Sequence, residues 1–255
     1  DKLLRAMPSL DLKRVKEYNH RNKNSKLTFA ESCTWADVVK RDNKYKKFKP
    51  WHFINVAREQ TQITAPICEE NCITFAISYH ANQLVKAQSD TDKLEALMFL
   101  GHWLGDIHQP LHVSFRSDLG GNKIRVTPFK GTCKNLHWYW DQCLLIPTHL
   151  ASPQTNKAFM VLETLLLHQL TAKLPKVNQS NVSTTDTLDW ANESLDLVRE
   201  SRFRYCVVKE GKCLVNIKQP IVINEEYHQH YHEILQARIV IASSRLARLL
   251  KDLLS

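Results

Sequence analysis

Histidine and aspartate recur between residues 101 and 141 at spacings that suit metal binding. His102 and Asp106 lie four residues apart, as do His137 and Asp141. Residues four apart on a helix share one face, with about 5–6 Å between their Cβ atoms. Each pair therefore offers two suitable ligands for one cation.

A proline bend separates the first pair from a further histidine. Pro110 cannot continue a helix because it lacks an amide donor and its ring clashes with the preceding turn, so His112 must point away from the first pair. Imidazole and carboxylate ligands without thiolate suit zinc in a hydrolytic role, with coordination positions open to water. Two metals close together can stabilise both the nucleophile and the leaving oxygen in phosphoester hydrolysis.

The composition indicates a helical globular chain around these residues. The 255 residues are 43% hydrophobic and 24% charged and include only six glycines, which argues against a turn-rich all-β fold. We predict an all-α fold in a single domain over residues 1–255. Lysine and arginine exceed aspartate and glutamate by 35 − 26 = 9, which favours a polyanionic partner such as nucleic acid or an anionic membrane. No apolar run is long enough to span a membrane.

Apolar residues at helical spacing predict the main elements. A helical arm over 1–20 and a short helix after a capping box at Thr28 come first. The further predicted helices are 70–88, 91–108, a helix from Asn135, 155–175, 184–200 and 222–253. Alternating residues predict two short β-hairpins, at 122–130 and 203–215. Four histidines outside the metal pattern are interpreted as exposed residues: His108, His228, His230 and His232.

Six of the seven cysteines form close pairs in the sequence, and one stands alone. The pairs are Cys68/Cys72, Cys133/Cys143 and Cys206/Cys213, and the single residue is Cys33. Close pairs fit local disulfides in a secreted or periplasmic protein. The chain opens on Asp1 without an initiator methionine, which indicates a processed or trimmed product. Three sequons would matter in a eukaryotic secretory host, at Asn178, Asn181 and Asn192.

A basic segment over residues 41–50 precedes Trp51. Five of its ten residues are lysine or arginine, interleaved with Tyr45 and Phe48. This composition suits a phosphodiester backbone with stacked bases. The alternative interpretation is a solvated surface loop.

Five ordered motifs resemble the class I nucleases, the mung bean and fungal type of zinc-dependent single-strand nucleases and 3'-nucleotidases. The motifs are WADVVK at 35–40, WHFIN at 51–55, GHWLGDIHQPLH at 101–112, DLGGNKIRV at 118–126 and NLHWYWD at 135–141. The resemblance implies the multi-helix bundle of the zinc-dependent phospholipase C superfamily. It also implies that a metal-activated water attacks phosphorus in RNA, single-stranded DNA and 3'-nucleotides, leaving 5'-phosphate products from nucleic acids.

Carried over residue by residue, the resemblance implies three zinc ions. The first would be held by Asp37, His52, His102 and Asp106, and the second by His112, His137 and Asp141. The third would share Asp106 and take its other ligands from residues before Asp1. We therefore expect native amino-terminal residues that this chain lacks.

The same resemblance implies roles in catalysis and substrate binding. Catalytic roles fall on Asp37, Lys40 and Asp106, and substrate-binding roles fall on Phe53, Asn55 and Leu119. Lys40 stands where the family often has an arginine, and it would stabilise the phosphate as a point charge without a bidentate fork. Phe53 and Leu119 would stack on a base, and Asn55 would contact its edge with both a donor and an acceptor. The alternative places Phe53 and Leu119 in the core and Asn55 in a turn.

Three functions are compatible with these features. The first is a secreted or periplasmic nuclease and 3'-nucleotidase, whose partners are RNA, single-stranded DNA and nucleotides as substrates, without a stable protein partner. The second is a phospholipase C of the same fold, in which a glutamate tends to replace Asp141. The third is a catalytically inactive, zinc-containing nucleic-acid binding protein, motivated by the absent amino-terminal ligands.

Overall fold

Helices dominate the structure. The computed structural model describes residues 2–65, 70–174, 186–210, 212–214 and 219–255. The helices are α1 (Ser9–Tyr18), α2 (Phe29–Ser32), α3 (Trp35–Val39), α4 (Ile73–Lys86), α5 (Asp90–His108), α6 (Leu136–Asp141), α7 (Asn156–Lys173), α8 (Thr187–Arg199) and α9 (Glu225–Leu254). The 3-10 helices are Leu3–Ala6, Lys46–His52, Pro110–His112, Arg116–Asp118, Cys143–Leu145 and Ser201–Phe203. The all-α prediction is confirmed, and none of the described helices has the length and apolar character of a membrane span.

Side-chain caps begin the helices where the sequence predicts them. Ser89 accepts a hydrogen bond from the Asp92 amide at 3.1 Å at the start of α5, and Thr28 forms the predicted capping box before α2. Such bonds satisfy amide donors that have no partner within the helix. α5 ends at His108 because Gln109, the residue before the proline, adopts an extended backbone. The predicted bend is therefore present, but His112 does not point away from the first pair, since its Nδ1 atom lies 3.6 Å from Asp106 Oδ2.

α5 lies at the centre of the core. It packs against α3, α4, α8 and α9. Its Phe99 and Trp103 rings are buried and stacked, with centroids 5.3 Å apart. Burial of a large apolar side chain contributes about 2 kcal/mol to folding. The helix that carries His102 and Asp106 is thus held on several sides by apolar packing.

A short parallel strand pair connects two parts of the site. β1 (Ile54–Val56) pairs with β2 (Val113–Phe115). His52 and His112 lie just before these strands, and the His112 ring donates a hydrogen bond from Nδ1 to the His52 carbonyl at 2.7 Å. The strand pair therefore places two histidines from distant parts of the sequence side by side.

The predicted hairpin at 122–130 is wrong. β3 (Val126–Thr127) pairs in parallel with β6 (Ile221–Val222) and does not fold back on its own segment. Alternating side chains identify an extended strand, but they do not select its partner. Here the partner comes from far along the chain.

The predicted cysteine pairing is confirmed where the structure describes it. Cys206–Cys213 pins the antiparallel hairpin of β4 (Val207–Lys209) and β5 (Lys212–Leu214), as predicted for 203–215. Cys133–Cys143 closes a loop around α6. Cys72 is disulfide-bonded, and Cys33 is a free thiol. Three residues named in these predictions lie outside the described ranges: Cys68, Asn178 and Asn181.

Two interpretations of surface residues are wrong. Tyr45 and Phe48 of the basic segment are only 8% and 6% exposed. Both side chains belong to the hydrophobic core, so bases cannot stack on them. His108 and His228 are 2% and 0% exposed. Hydrogen bonds to both ring nitrogens of His228 offset the cost of burying it. The other two histidines of that prediction are partly exposed: His230 and His232.

Candidate metal centre

Three segments bring the four residues of the first predicted group together. α3 carries Asp37, the 3-10 helix Lys46–His52 ends on His52, and α5 carries His102 and Asp106. Single ligand atoms of Asp37, His52 and His102 lie within 4.8 Å of one another. The Asp106 Oδ2 atom lies 3.0 Å from His52 Nδ1 and 3.1 Å from His102 Nε2. These distances are short enough for one cation to contact all four side chains.

A second group forms where α6 faces the turn after Pro110. Ligand atoms of His112, His137 and Asp141 lie within 4.8 Å of one another. His137 Nε2 lies 3.6 Å from Asp141 Oδ2, as the four-residue spacing predicts for a helix. The His112 and His137 ring centroids are 4.8 Å apart. The donor set is again imidazole and carboxylate, which suits zinc.

Asp106 lies between the two groups. Its Oδ2 atom is 3.6 Å from His112 Nδ1 of the second group, in addition to its contacts with the first. Its side chain is only 13% exposed. This carboxylate is therefore placed to influence ions in both groups.

Backbone carbonyls orient three of the four histidines. The Nδ1 atoms of His102, His112 and His137 donate to the carbonyls of Cys33, His52 and Gly120 at 2.9, 2.7 and 2.7 Å. A histidine that ligates a metal usually donates its other ring N–H to such an acceptor. Each of these rings therefore turns Nε2 toward a carboxylate of the site, Asp106 for His102 and Asp141 for the other two, which fits a metal in both groups.

The charges within the site favour an ionised carboxylate between the groups. Burial raises the pKa of Asp106, but His102 and His112 outweigh that effect and hold the pKa well below its usual value. Burial lowers the pKa of His102, but Asp106 and Asp37 raise it to about 9. Because a metal-ligating histidine must be neutral, cation binding would release a proton from His102.

Two polar residues at the site were not identified from the sequence. The Tyr18 hydroxyl donates to Asp37 Oδ2 at 3.3 Å, and burial together with Asp37 raises its pKa to about 12, so it stays a donor. The Gln109 amide donates to Asp141 Oδ1 at 2.7 Å. Gln109 lies inside a motif beside Pro110 and could have been singled out. Tyr18 carries no local signal, since only packing of α1 brings it to Asp37.

The predicted base-binding residues lie beside the metal groups on exposed surface. Phe53 directly follows His52 and is 36% exposed, and Leu119 is 52% exposed. Neither is a core residue, which removes the alternative interpretation for this pair. Asn55 lies on β1, two residues after Phe53. Lys40 Nζ lies 2.9 Å from Asp37 Oδ1, so its charge is next to the first group.

A buried aspartate holds the loop that carries Leu119. Asp118 is 2% exposed and accepts hydrogen bonds from the Gly121 amide at 2.7 Å and from Tyr205 and Arg58. The loop then turns through left-handed backbone, and a Cβ at Gly120 would lie 2.4 Å from the Leu111 carbonyl oxygen. Only glycine fits there without a shift. The DLGG motif therefore fixes the carbonyl that orients His137.

A network of charged and polar side chains binds the last carbonyls of α5, at the bend between the two metal groups. Glu193 of α8 accepts hydrogen bonds from Arg238 at 2.6 Å and from Arg245 at 2.6 and 2.8 Å, both arginines lying on α9. Arg238 also donates to the His108 carbonyl at 3.1 Å, and Ser194 donates to the Ile107 carbonyl at 2.6 Å. These bonds satisfy carbonyls that have no partner at a helix end. The network thus anchors the bend that separates the two groups, and it includes the buried His108 ring, whose Nε2 atom lies 2.8 Å from an Arg245 guanidinium nitrogen.

The fold and the site define a helical protein with two adjoining groups of candidate metal ligands. The family model described as S1/P1 Nuclease matches residues 6–255, and the chain therefore belongs to the S1/P1 nuclease family, as the motifs indicated. It is 26% identical over 245 residues to Endonuclease 4 of Arabidopsis thaliana, covering 89% of this chain and 77% of the relative.

Two further relatives have similar identity. Nuclease S1 of Aspergillus oryzae is 28% identical over 226 residues, covering 86% of this chain and 76% of the relative. Endonuclease 3 of Arabidopsis thaliana is 30% identical over 192 residues, which are 69% of this chain. The chain spans 63% of that relative, less than two thirds of its length.

Proposed function

We propose that this chain is a zinc-dependent nuclease and 3'-nucleotidase. It would hydrolyse RNA and single-stranded DNA to 5'-phosphate products and remove phosphate from 3'-nucleotides. The observation that carries the proposal is the placement of ionised Asp106 between two groups of imidazole and carboxylate ligands. Such adjoining groups suit a reaction in which negative charge develops on two oxygens of one phosphate.

The ligand assignments are part of the proposal. The first zinc is held by Asp37, His52, His102 and Asp106, and the second by His112, His137 and Asp141. Zinc held by these residues would activate a water near neutral pH, and its charge would offset negative charge on the phosphate. The carbonyl-bound histidine rings support these assignments, because their Nδ1 atoms are used by the carbonyls and their Nε2 atoms face the carboxylates. The third zinc implied by the motifs stays a prediction, with Asp106 as its shared ligand.

Residues around the metal groups would hold the substrate. Lys40, beside Asp37, would contact a phosphate oxygen and offset charge in the transition state. Phe53 and Leu119 would enclose a base, since both present exposed apolar surface next to His52 and the DLGG loop. Asn55 would contact the base edge with an amide that offers a donor and an acceptor. The described disulfides, Cys133–Cys143 and Cys206–Cys213, support a secreted or periplasmic location.

Metal counting and a substrate panel test the proposal. The purified chain is loaded with zinc, its bound metals are counted by native mass spectrometry, and RNA, single-stranded DNA, 3'-AMP and phosphatidylcholine micelles are assayed side by side. We expect at least two zinc ions and turnover of the three nucleotide substrates. Asp106→Asn, which keeps the shape and removes the charge, should lower metal content and activity together. Asp196→Asn, on the exposed face of α8, is the matched control.

The other candidate functions give different results in the same panel. Turnover of lipid without turnover of nucleotides would identify a phospholipase C and overturn the proposal. Two bound zinc ions with nucleic-acid binding and no hydrolysis would identify a binding protein. Retention of full activity by Asp106→Asn would show that the site lies elsewhere.

A further inference from the structure

The 3-10 helix Lys46–His52 leads directly into the metal centre. A 3-10 helix has three residues per turn and a rise of about 2.0 Å per residue, so side chains three apart stand above one another at steps of about 6 Å. His52, a predicted zinc ligand, is the last residue of this helix. Residues at positions 46 and 49 therefore lie in the same row as His52.

A second row of side chains, about 120° around the helix, fixes its orientation. Tyr45, Phe48 and Trp51 are each three residues apart and are 8%, 6% and 7% exposed. The Phe48 and Trp51 rings lie 4.4 Å apart in the core. Because this row is buried, the helix cannot rotate about its axis. In the row that ends on His52, Lys46 and Lys49 are exposed, whereas His52 itself is 7% exposed and lies within the metal centre.

The two lysines of this row differ from Lys40 and Lys44 in charge pairing. Both are exposed, and neither forms an ion pair with a carboxylate in the described part of the chain. By contrast, Lys40 pairs with Asp37 at 2.9 Å, and Lys44 pairs with Glu95 at 2.8 Å. Lys46 and Lys49 thus present two exposed charges, without an ion-pair partner among the described residues, on the helix that ends at His52.

We propose that Lys46 and Lys49 form a track for the phosphates of single-stranded nucleic acid that flank the cleaved bond. The step of about 6 Å between them is comparable to the distance between successive phosphates of a strand, which are joined through the sugar by six covalent bonds. A positively charged groove that follows the backbone is the usual means of binding single strands without sequence preference. This track rests on the proposed nuclease function and adds to it a binding surface outside the metal centre.

The track would contact the phosphate backbone of the strand and would not contact its bases. The aromatic residues of the segment are buried, so stacking there is excluded. Lys47 lies outside the row, and its Nζ atom rests 4.9 Å from the centroid of the Phe48 ring. A short substrate such as 3'-AMP would reach the metal centre without touching the track, whereas a longer strand would contact both lysines.

The test compares a short and a long substrate. The variants are Lys46→Ala, Lys49→Ala and the double variant, and Lys157→Ala, an exposed lysine on α7, is the charge-matched control. For a ten-nucleotide single strand at low salt, we expect the double variant to lose at least about fivefold in kcat/KM. The slope of log kcat/KM against log salt should become shallower by about 1.4, or about 0.7 for each phosphate contact. The kcat/KM for 3'-AMP should stay within twofold of the starting value, and Lys157→Ala should resemble the unaltered protein.

Several outcomes would overturn the track. Equal losses on 3'-AMP and on the ten-nucleotide strand would place the effect in the metal centre or in the fold. An unchanged salt slope would show that these lysines contact no phosphate. Lys46→Arg with Lys49→Arg should retain strand cleavage, because the charges remain, and failure of that rescue would also count against the track.

A binding measurement separates failure of the track from failure of the proposed function. Fluorescence anisotropy with a labelled ten-nucleotide strand, after metal removal by chelator, reports binding without hydrolysis. Loss of affinity in the double variant would support the track even if the zinc-loaded protein cleaved nothing. Unchanged affinity for the strand in the double variant would overturn the track. Binding of anionic vesicles by all variants to the same extent, without binding of the strand, would also overturn it.

Discussion

At the scale of single residues, the site depends on one carboxylate and on three histidines whose Nδ1 atoms are hydrogen-bonded to backbone carbonyls. Asp106 is close to His52, His102 and His112, so a change there reaches both groups. His137, by contrast, lies against the second group, with its ring 4.8 Å from that of His112 and its Nε2 atom 3.6 Å from Asp141 Oδ2. This difference allows the contribution of the second group to be measured separately.

His137→Ala should impair hydrolysis much more than folding. Its side chain is 17% exposed and is proposed as a metal ligand, so we expect a loss of one bound metal and of at least about 100-fold in kcat/KM, with a small change in Tm. Metal counting, kinetics and thermal unfolding of the same preparation test this. His168→Ala, an exposed histidine on α7, is the control. Losses of similar size in activity and stability would indicate a structural role for this residue.

At the scale of elements, α6 is held by covalent and polar contacts on both sides. The Cys133–Cys143 disulfide encloses the helix, and Gln109 from the bend after α5 bonds to Asp141 at its end. α6 carries His137 and Asp141 within two turns. Its position relative to α5 therefore sets the geometry of the second group.

Removal of the Cys133–Cys143 disulfide should weaken metal binding in the second group. Replacement of both cysteines by serine should cost about 3 kcal/mol in the free energy of unfolding, as expected for a short closed loop. We also expect weaker binding of one zinc, measured by competition with a chromogenic chelator, because α6 is less constrained. The matched variant is Cys206→Ser with Cys213→Ser, which opens another short loop. If both double variants weakened zinc binding equally, the effect would be one of general stability.

At the scale of the whole molecule, several histidines are buried in the neutral form within a basic protein. His80 lies in an aromatic cluster with Phe48, Phe99 and Trp103. The His228 ring packs against Tyr139 of α6, with ring centroids 5.9 Å apart. Burial lowers the pKa of His80 to about 4 and that of His228 to about 4. An unfolded histidine titrates at about 6.5, so these two side chains link folding to pH.

The metal-free protein should lose stability as the pH falls from about 6.5 to about 4. In this range the unfolded chain binds protons that the folded chain does not, and each such histidine lowers the free energy of unfolding by about 1.4 kcal/mol per pH unit. Denaturant unfolding at several pH values, with chelator present, should show a smaller pH dependence for His80→Gln than for the unaltered protein. His168→Gln should show the original dependence. The same pH dependence in all three proteins would contradict this assignment.

Much of the site could be predicted from local sequence and motif. The spacing of His102 with Asp106, and of His137 with Asp141, predicts pairs on single helices because the helical period is local. Pro110 predicts the bend for the same reason. The resemblance to the nucleases singled out Asp37 and His52, which no local rule connects to α5.

What the sequence determined by itself was the helical content, the disulfide pairs that are described, the proline bend and the motifs of the family. Only the tertiary structure decided the contact of Tyr18 with Asp37, the burial of His108 and the partner of β3. It also decided that Tyr45 and Phe48 face inward while Lys46 and Lys49 face solvent. The physical reason is that helix period and backbone chemistry act within a few residues, whereas these contacts depend on how distant segments pack around α5.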